Sequence, residues 1–314
     1  MKNKIIQLSF LAGSLFFAGC TNRSDTGQES DMAVDESFDF IADRFADIQV
    51  LRYKVPGFSD LPLSQKRLAY YLYQAGLSGR DIFYDQKYKY NLMVRKTLEV
   101  ILNNYMKTKS GDEWDKFINY SKRVFFANGI HHHYSSDKML PVFSYEYFSS
   151  LISGCKPEEL PMAGMTMEQY LALMKQVVFD PAFDPKVVDL SAADVIKSSC
   201  NNFYEGVSQK EAEDYYLQLK KSLPGNRSQL GFNTKLVKEG GSIQERVWKS
   251  GGMYGTAIDK IIFWLGKAVT VAENPIQKET LEKLISFYKS GDPVLFDEYS
   301  ISWVSDTLSR IDVV

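Results

Sequence analysis

"GGMYGTAIDKIIFWLGKAVTVAENPIQKETLEKLISFYKSGD", residues 251–292, decides how the chain is read. It holds two apolar-periodic runs, "TAIDKIIFWLGKAVTVA" and "PIQKETLEKLISFYKSG", with Glu273-Asn274 between them. Apolar residues three and four apart share a helix face, so each run reads as an amphipathic helix. Pro275 falls in the first turn of the second run, where its missing N–H costs nothing. A two-residue link makes the helices antiparallel neighbours.

The same reading extends upstream. "GFNTKLVKEGGSIQERVWKSGG", residues 231–252, has two extended runs flanking Gly240-Gly241, the signal of a tight hairpin. Before it come helices at "SQKEAEDYYLQLKKSL", "SAADVIKSS", "TMEQYLALMKQVVF" and "SYEYFSSLIS". "GDEWDKFINYSKRVFFANG" is a helix capped by Asp112 and stopped at Asn128-Gly129. "KYKYNLMVRKTLEVILNNYM" places Leu92, Val94, Leu98, Ile101, Leu102 and Tyr105 on a broad apolar face. "LPLSQKRLAYYLYQAG" takes Ser64 as N-cap and Gly76 as stop, with Leu68, Leu72 and Ala75 on one face. "ADIQVLRYKVPGF" alternates roughly and reads as a strand ending at Pro56-Gly57. Downstream, "RIDVV" reads as the start of a buried strand. A chain stopping on Val313-Val314 is expected to be cut short, because domains usually finish in something polar. The fold class expected is α+β, mainly helical, with a small antiparallel sheet or barrel.

The first 19 residues read as a signal peptide. "MKNK" is basic, and "IIQLSFLAGSLFFAG" is an apolar run too short to span a bilayer. It ends in Ala-Gly-Cys, the ending of a bacterial lipoprotein signal, with Phe17 where leucine is usual. Cleavage before Cys20 and lipid attachment to its thiol are expected, which would anchor the chain at the bacterial cell envelope, on the periplasmic or outer-membrane face. Residues 20–37 are polar, acidic and aperiodic, and read as a disordered tether. The folded body is expected over 38–314. Cys155 and Cys200 remain, either bridged or as two thiols.

The 314 residues carry a net charge of −2, which excludes the electrostatic footprint of a nucleic-acid binder. All three histidines lie in "NGIHHHYSSDKMLP", residues 128–141, just past a helix end. Helical metal sites use histidines at i and i+4, and consecutive residues point apart. No HExxH or CxxC motif occurs. The triplet therefore reads as a solvated or cleft-lining loop, and no residue of the chain is expected to hold a metal. "GGMYGTAIDK" lacks the phosphate-loop pattern, and "GFSDL" lacks the second glycine of a nucleophile elbow. Asp112-Glu113, Glu158-Glu159, Glu211-Glu213-Asp214 and Asp297-Glu298 read as helix first turns or wet faces. Asp312 is different because it stands inside an apolar run, at a strand end or facing a cleft.

Together, "LSQKRLAYYLYQAG", "ANGIHHHYSSDKMLP", the helical pair and "SWVSDTLSRIDVV" resemble the N-terminal half of the dipeptidyl-peptidase III family, from residue 38 onward. Its members are two-lobed zinc exopeptidases that remove dipeptides from the amino terminus of short peptides. The resemblance implies that this chain is the lower lobe. It also implies that the HExxxH zinc helix and the Glu-rich motif, which belong to the upper lobe, lie beyond Val314. No catalytic residue is then assigned here, and the chain alone is expected to be inactive. Asp312 falls where the family receives the peptide's free amino group, and Val314 stands where many members have a tyrosine. The loop 128–141 resembles a loop at the cleft floor, which makes Asn128 and Tyr134 substrate-binding candidates; Asn128 matches the family and the histidines do not. The partners implied are a short peptide and a membrane. The competing expectation is a non-catalytic helical surface lipoprotein that binds peptide or glycan.

Overall fold

The structure, a computed structural model, describes residues 38–222 and 230–312. Cys20, the signal, the tether and Val314 lie outside the described residues. Contacts divide the chain between Phe40 and Ile41.

The unit from Ile41 begins with a hairpin, β1 (Ile41–Phe45) and β2 (Ile48–Leu51), turned through Ala46 at φ 48°. The sequence predicts one strand, within residues 46–58 and ending at Pro56-Gly57; the strand there covers only Ile48–Leu51, and β1, just upstream of that stretch, pairs with it. Helix α1 (Leu63–Ser78) follows, and Pro62 is its N-cap. Ser64 therefore lies inside the first turn and does not cap. Gly76 does not stop the helix either: it stays in the helix, which ends at Gly79. Gly79 leads directly into α2 (Arg80–Lys87), and α3 (Asn91–Asn104) follows.

Helix α4 (Asp112–Ala127) has Gly111 as N-cap, so Asp112 is its first residue. Asp112, Glu113 and Asp115 in that turn complement the positive end of the helix dipole. Helices α5 (Tyr145–Ser153) and α6 (Met167–Phe179) start on side-chain caps, Ser144 and Thr166; Thr166 forms a reciprocal capping box with Gln169. The 191–199 helix shrinks to one turn, α7 (Val195–Ser198). A short strand β3 (Tyr204–Glu205) and α8 (Gln209–Ser222) precede the hairpin β4 (Thr234–Glu239) and β5 (Ser242–Val247). Gly240 and Gly241 both have positive φ, as a two-residue turn of this kind needs. Strand β3 joins β4 in parallel, so the described strands form sheets of two and three, without a closed barrel.

The helical pair forms as the periodicity predicts. Helix α9 (Gly255–Val269) buries Ile258, Ile261, Leu265 and Ala268. Helix α10 (Pro275–Ser290) begins on Asn274, whose side chain accepts from the Gln277 N–H, and stops on Gly291 in the left-handed region. Helix α11 (Pro293–Ser305) packs on α10. After it there is no strand among the described residues. The Glu273 carboxylate accepts from the N–H groups of Arg310 and Ile311, both at 2.8 Å. Gln277 donates to the Ile311 carbonyl at 2.6 Å. The Arg310 and Ile311 backbone groups that a strand would use are thus spent on Glu273 in the α9–α10 link and Gln277 of α10; the rest of the "RIDVV" run, Val313-Val314, lies outside the described residues.

Two main cores result. One lies among α3, α4, α5 and α6, with Leu98, Ile101, Phe117, Phe148 and Tyr170 fully buried. The other joins α1 to α9 and α10 through Leu68, Leu72, Leu265 and Leu281. Among the described residues no helix is long and apolar enough to cross a membrane.

Candidate functional site

The histidine loop is built rather than solvated. Helix α4 ends on Asn128, whose φ of 52° and ψ of 44° put it in the left-handed region that asparagine tolerates. Gly129 follows at φ 143° against the buried Asn91; a Cβ there would lie 2.1 Å from the Asn91 amide nitrogen. Asn91 in turn donates to the Tyr84 carbonyl at 3.1 Å and accepts from the Ile130 N–H at 3.1 Å. Lys87 donates to the carbonyls of Ala127 (2.7 Å) and His131 (3.1 Å), closing the C-terminal end of α4 with a cation. Burial lowers the proton affinity of Lys87.

The three histidines have three separate environments. His131 is fully buried, edge-on to the Tyr88 ring, with Nε2 2.9 Å from the Asp184 carbonyl. Since a carbonyl only accepts, Nε2 carries the proton. Burial holds its pKa down to about 4. Cys200 Sγ stands 3.5 Å from the same nitrogen, and burial pushes that thiol up to about 12, so it is inert at neutral pH. His132 uses Nδ1 to accept from the N–H groups of Tyr134 (3.1 Å) and Ser135 (3.2 Å), as an aspartate does in a turn. His133 is half-buried between Phe126 and Tyr134.

These contacts do not fit a metal. His131 spends Nε2 on a backbone carbonyl, and His132 spends Nδ1 on two backbone N–H groups. Among the described residues no group of three or more His, Cys, Asp or Glu side chains could hold an ion. Cys155 and Cys200 are both free thiols.

The loop forms one wall of a groove of about 570 Å³. Phe126, Asn128 and His133 line it together with Val188 and Asn201 and with Phe83 and Gln86 of α2. The sequence candidate Asn128 is thus in place, exposed to the groove. Tyr134 is 87% exposed and stacks on His133 at 4.3 Å between centroids, beside the groove rather than in its wall. Asp312 is exposed after α11 and is not among the groove residues; its charge raises the Tyr299 pKa, after the larger effect of burial. Sequence reasoning missed Phe83, Gln86, Val188 and Asn201. They come from separate segments, and no local pattern joins them.

The described residues form a helical α+β body with short sheets and a groove beside loop 128–141, and comparison with known proteins bears on that fold. No family model matches the chain, and no curated protein matches it. Among solved structures, dipeptidyl-peptidase III from Caldithrix abyssi is similar, at 17% identity and a TM-score of 0.51, over 83% of this chain and 36% of that one. Dipeptidyl-peptidase III from Corallococcus sp. strain EGB aligns at 17% identity over 83% of this chain and 35% of that one, but its TM-score of 0.47 adds no weight. At such identity the likeness shows the fold alone. The fold resemblance expected from the sequence is therefore present, and the chain spans little more than a third of the relative it matches.

Proposed function

We propose that this chain is the peptide-binding lobe of a dipeptidyl-peptidase III-type zinc exopeptidase. The observation that carries the reading is the groove beside loop 128–141, set in a fold shared with such a peptidase. In this reading a short peptide lies along the groove. The Asn128 amide offers a donor and an acceptor to its backbone, and Tyr134 flanks it. Asp312, which lies outside the groove wall, is the carboxylate that the family resemblance implies for the free ammonium, by a charge-assisted hydrogen bond. Zinc is held by residues outside this chain, because the histidines within it are committed to packing and turn formation. Lipid on Cys20 holds the lobe at the cell envelope.

The chain alone should neither bind zinc stoichiometrically nor release a chromophore from a dipeptidyl-arylamide in zinc-containing buffer. Turnover by the purified chain would overturn the assignment of the catalytic machinery elsewhere. Inactivity combined with glycan binding and no peptide binding would favour the lipoprotein reading instead.

A further inference from the structure

The second unit begins at Ile41, whose cross-strand partner is Leu51. From Leu51 onward, residues 51–60, "LRYKVPGFSD", are exposed without a break. Leu51, Tyr53, Val55 and Phe58 all face solvent there, Tyr53 at 76% and Val55 at 69% of their surface. Single exposed apolar side chains are ordinary, but a concentration of them marks a surface that meets something. We infer that this surface lies on an anionic phospholipid bilayer.

Helix α1 extends the surface. Lys66 donates to the Ser59 carbonyl at 2.6 Å, which holds the turn after Val55 against the side of the helix that carries Lys66. Leu63, Tyr70, Tyr73 and Leu77 share that side at helical spacing, and all four are exposed. The other side, with Leu68, Leu72 and Ala75, is the one spent on the core. Tyr70 meets the Trp264 ring of α9 edge-on at 5.9 Å, and the exposed Phe263 ring lies 5.1 Å from Trp264, so the patch continues onto α9.

Charge identifies the partner. Residues 48–77 contain Arg52, Lys54, Lys66 and Arg67 against a single acid, Asp60, in a chain whose net charge is −2. Cations set among exposed aliphatic and aromatic side chains complement lipid phosphates above an acyl boundary. Long basic side chains reach the phosphates while their apolar neighbours enter the boundary, where tyrosine rings are favoured. The nearness of a bilayer rests on the lipid-anchor reading of Cys20, since the chain from Cys20 reaches this unit at the strand paired with Leu51. The chemistry of the surface does not rest on it.

The test places a fluorescent thiol label at position 55 (Val55→Cys) or at position 106 (Met106→Cys), an 89% exposed site on the α3–α4 connection. Both full-length chains carry Cys20→Ser, so no lipid is needed, and burial raises the pKa of both remaining thiols, Cys155 and Cys200. Vesicles with brominated acyl chains act as quencher. On phosphatidylglycerol vesicles the label at 55 should lose at least about half its emission, as a group seated about 5–10 Å into the boundary does. It should lose much less on phosphatidylcholine alone, and the label at 106 should lose little on either. Lys54→Glu combined with Arg67→Glu, checked by circular dichroism, should abolish the preference for the anionic lipid. No quenching at 55, equal quenching at 55 and 106, or quenching at 55 indifferent to lipid charge would overturn the inference. So would a folded charge-reversed chain that keeps the preference, or a label at 55 that becomes shielded without vesicles as protein concentration rises, which would put a second copy on this face. If the charge-reversed chain does not fold, the comparison of the two lipids decides. Lipid on Cys20 is read separately, from the mass of the wild-type chain isolated from bacterial membranes.

Discussion

The two cores solve the same problem differently. The core among α3–α6 contains buried polar groups, several of them partnered, while the Tyr120 hydroxyl and His131 Nδ1 have no hydrogen-bond partner among the described residues. Arg95 holds Asp81 at 2.5 Å and Glu99 at 2.9 Å beneath the Tyr84 ring, and Thr97 is bonded to Tyr170. Asn91 and His131 tie that core to the loop that walls the groove. The core joining α1 to α9 and α10 borders a cavity of about 400 Å³, and its buried polar residues Gln277, Thr280 and Ser302 lie on the α10–α11 side, away from that cavity's lining, and are bonded. The first core is a platform that fixes a loop; the second is a container. Buried hydrogen bonds set geometry, whereas aromatic walls with small residues opposite them set volume.

The contrast can be broken at Gly129. Gly129→Ala puts a methyl into the Asn91 amide at a φ that L residues rarely adopt. It should cost roughly 4 kcal/mol or more, read as a shift of the denaturation midpoint. A cost below about 1 kcal/mol would mean that the platform is not rigid. Next, Phe117→Ala in the first core should cost about 4 kcal/mol, since Phe117 is fully buried. Phe287→Ala should cost about half as much, because Phe287 already faces a cavity. Equal losses would erase the distinction between the cores.

His131 gives a pH signature. Its folded pKa of about 4 lies below the ordinary 6.5. As pH falls below about 6.5 the unfolded chain takes up this proton first, so stability drops between about pH 6.5 and pH 4 and no further from this group. The loss is on the order of 3 kcal/mol, and it should be absent from the pH profile of His131→Gln relative to wild type. The smallest expected effect sharpens the groove. Asn128→Gly preserves the left-handed helix end, so stability should change by less than about 0.5 kcal/mol, yet the amide that faces the groove is gone. Peptide affinity should fall in this variant while the melting temperature holds.

The helical pair and the β4–β5 hairpin were legible because their signals are local. Period-3.6 apolar runs, Pro275 at a first turn, Asn274 as a cap and a Gly-Gly turn each act within a few residues. Asn128-Gly129 was legible as a stop for the same reason. The histidine loop was not, because its determinants are distant in sequence: Lys87, Asn91 and Asp184 fix it from three other segments. A run of histidines looks solvent-exposed by composition, and only the tertiary contacts reveal that His131 is core. The apolar "RIDVV" run suggested a strand; at Arg310 and Ile311 the Glu273 carboxylate and Gln277 amide capture the backbone, and Val313-Val314 lie outside the described residues. Ser64 and Gly76 misled because a cap residue and a glycine carry weight only at a helix end, and α1 starts at Leu63 and runs to Ser78.

The most direct measurement is isothermal titration of the purified chain with a tetrapeptide, carrying either a free or an acetylated amino terminus. The free peptide should bind, the acetylated one more weakly, and Asp312→Asn should remove the difference between them. Val188→Trp, at an exposed position in the groove wall, should abolish binding of both without lowering the melting temperature. Peptide that binds with equal affinity whether or not its amine is free, and that is indifferent to Val188→Trp, would contradict a peptide-binding lobe built on this groove.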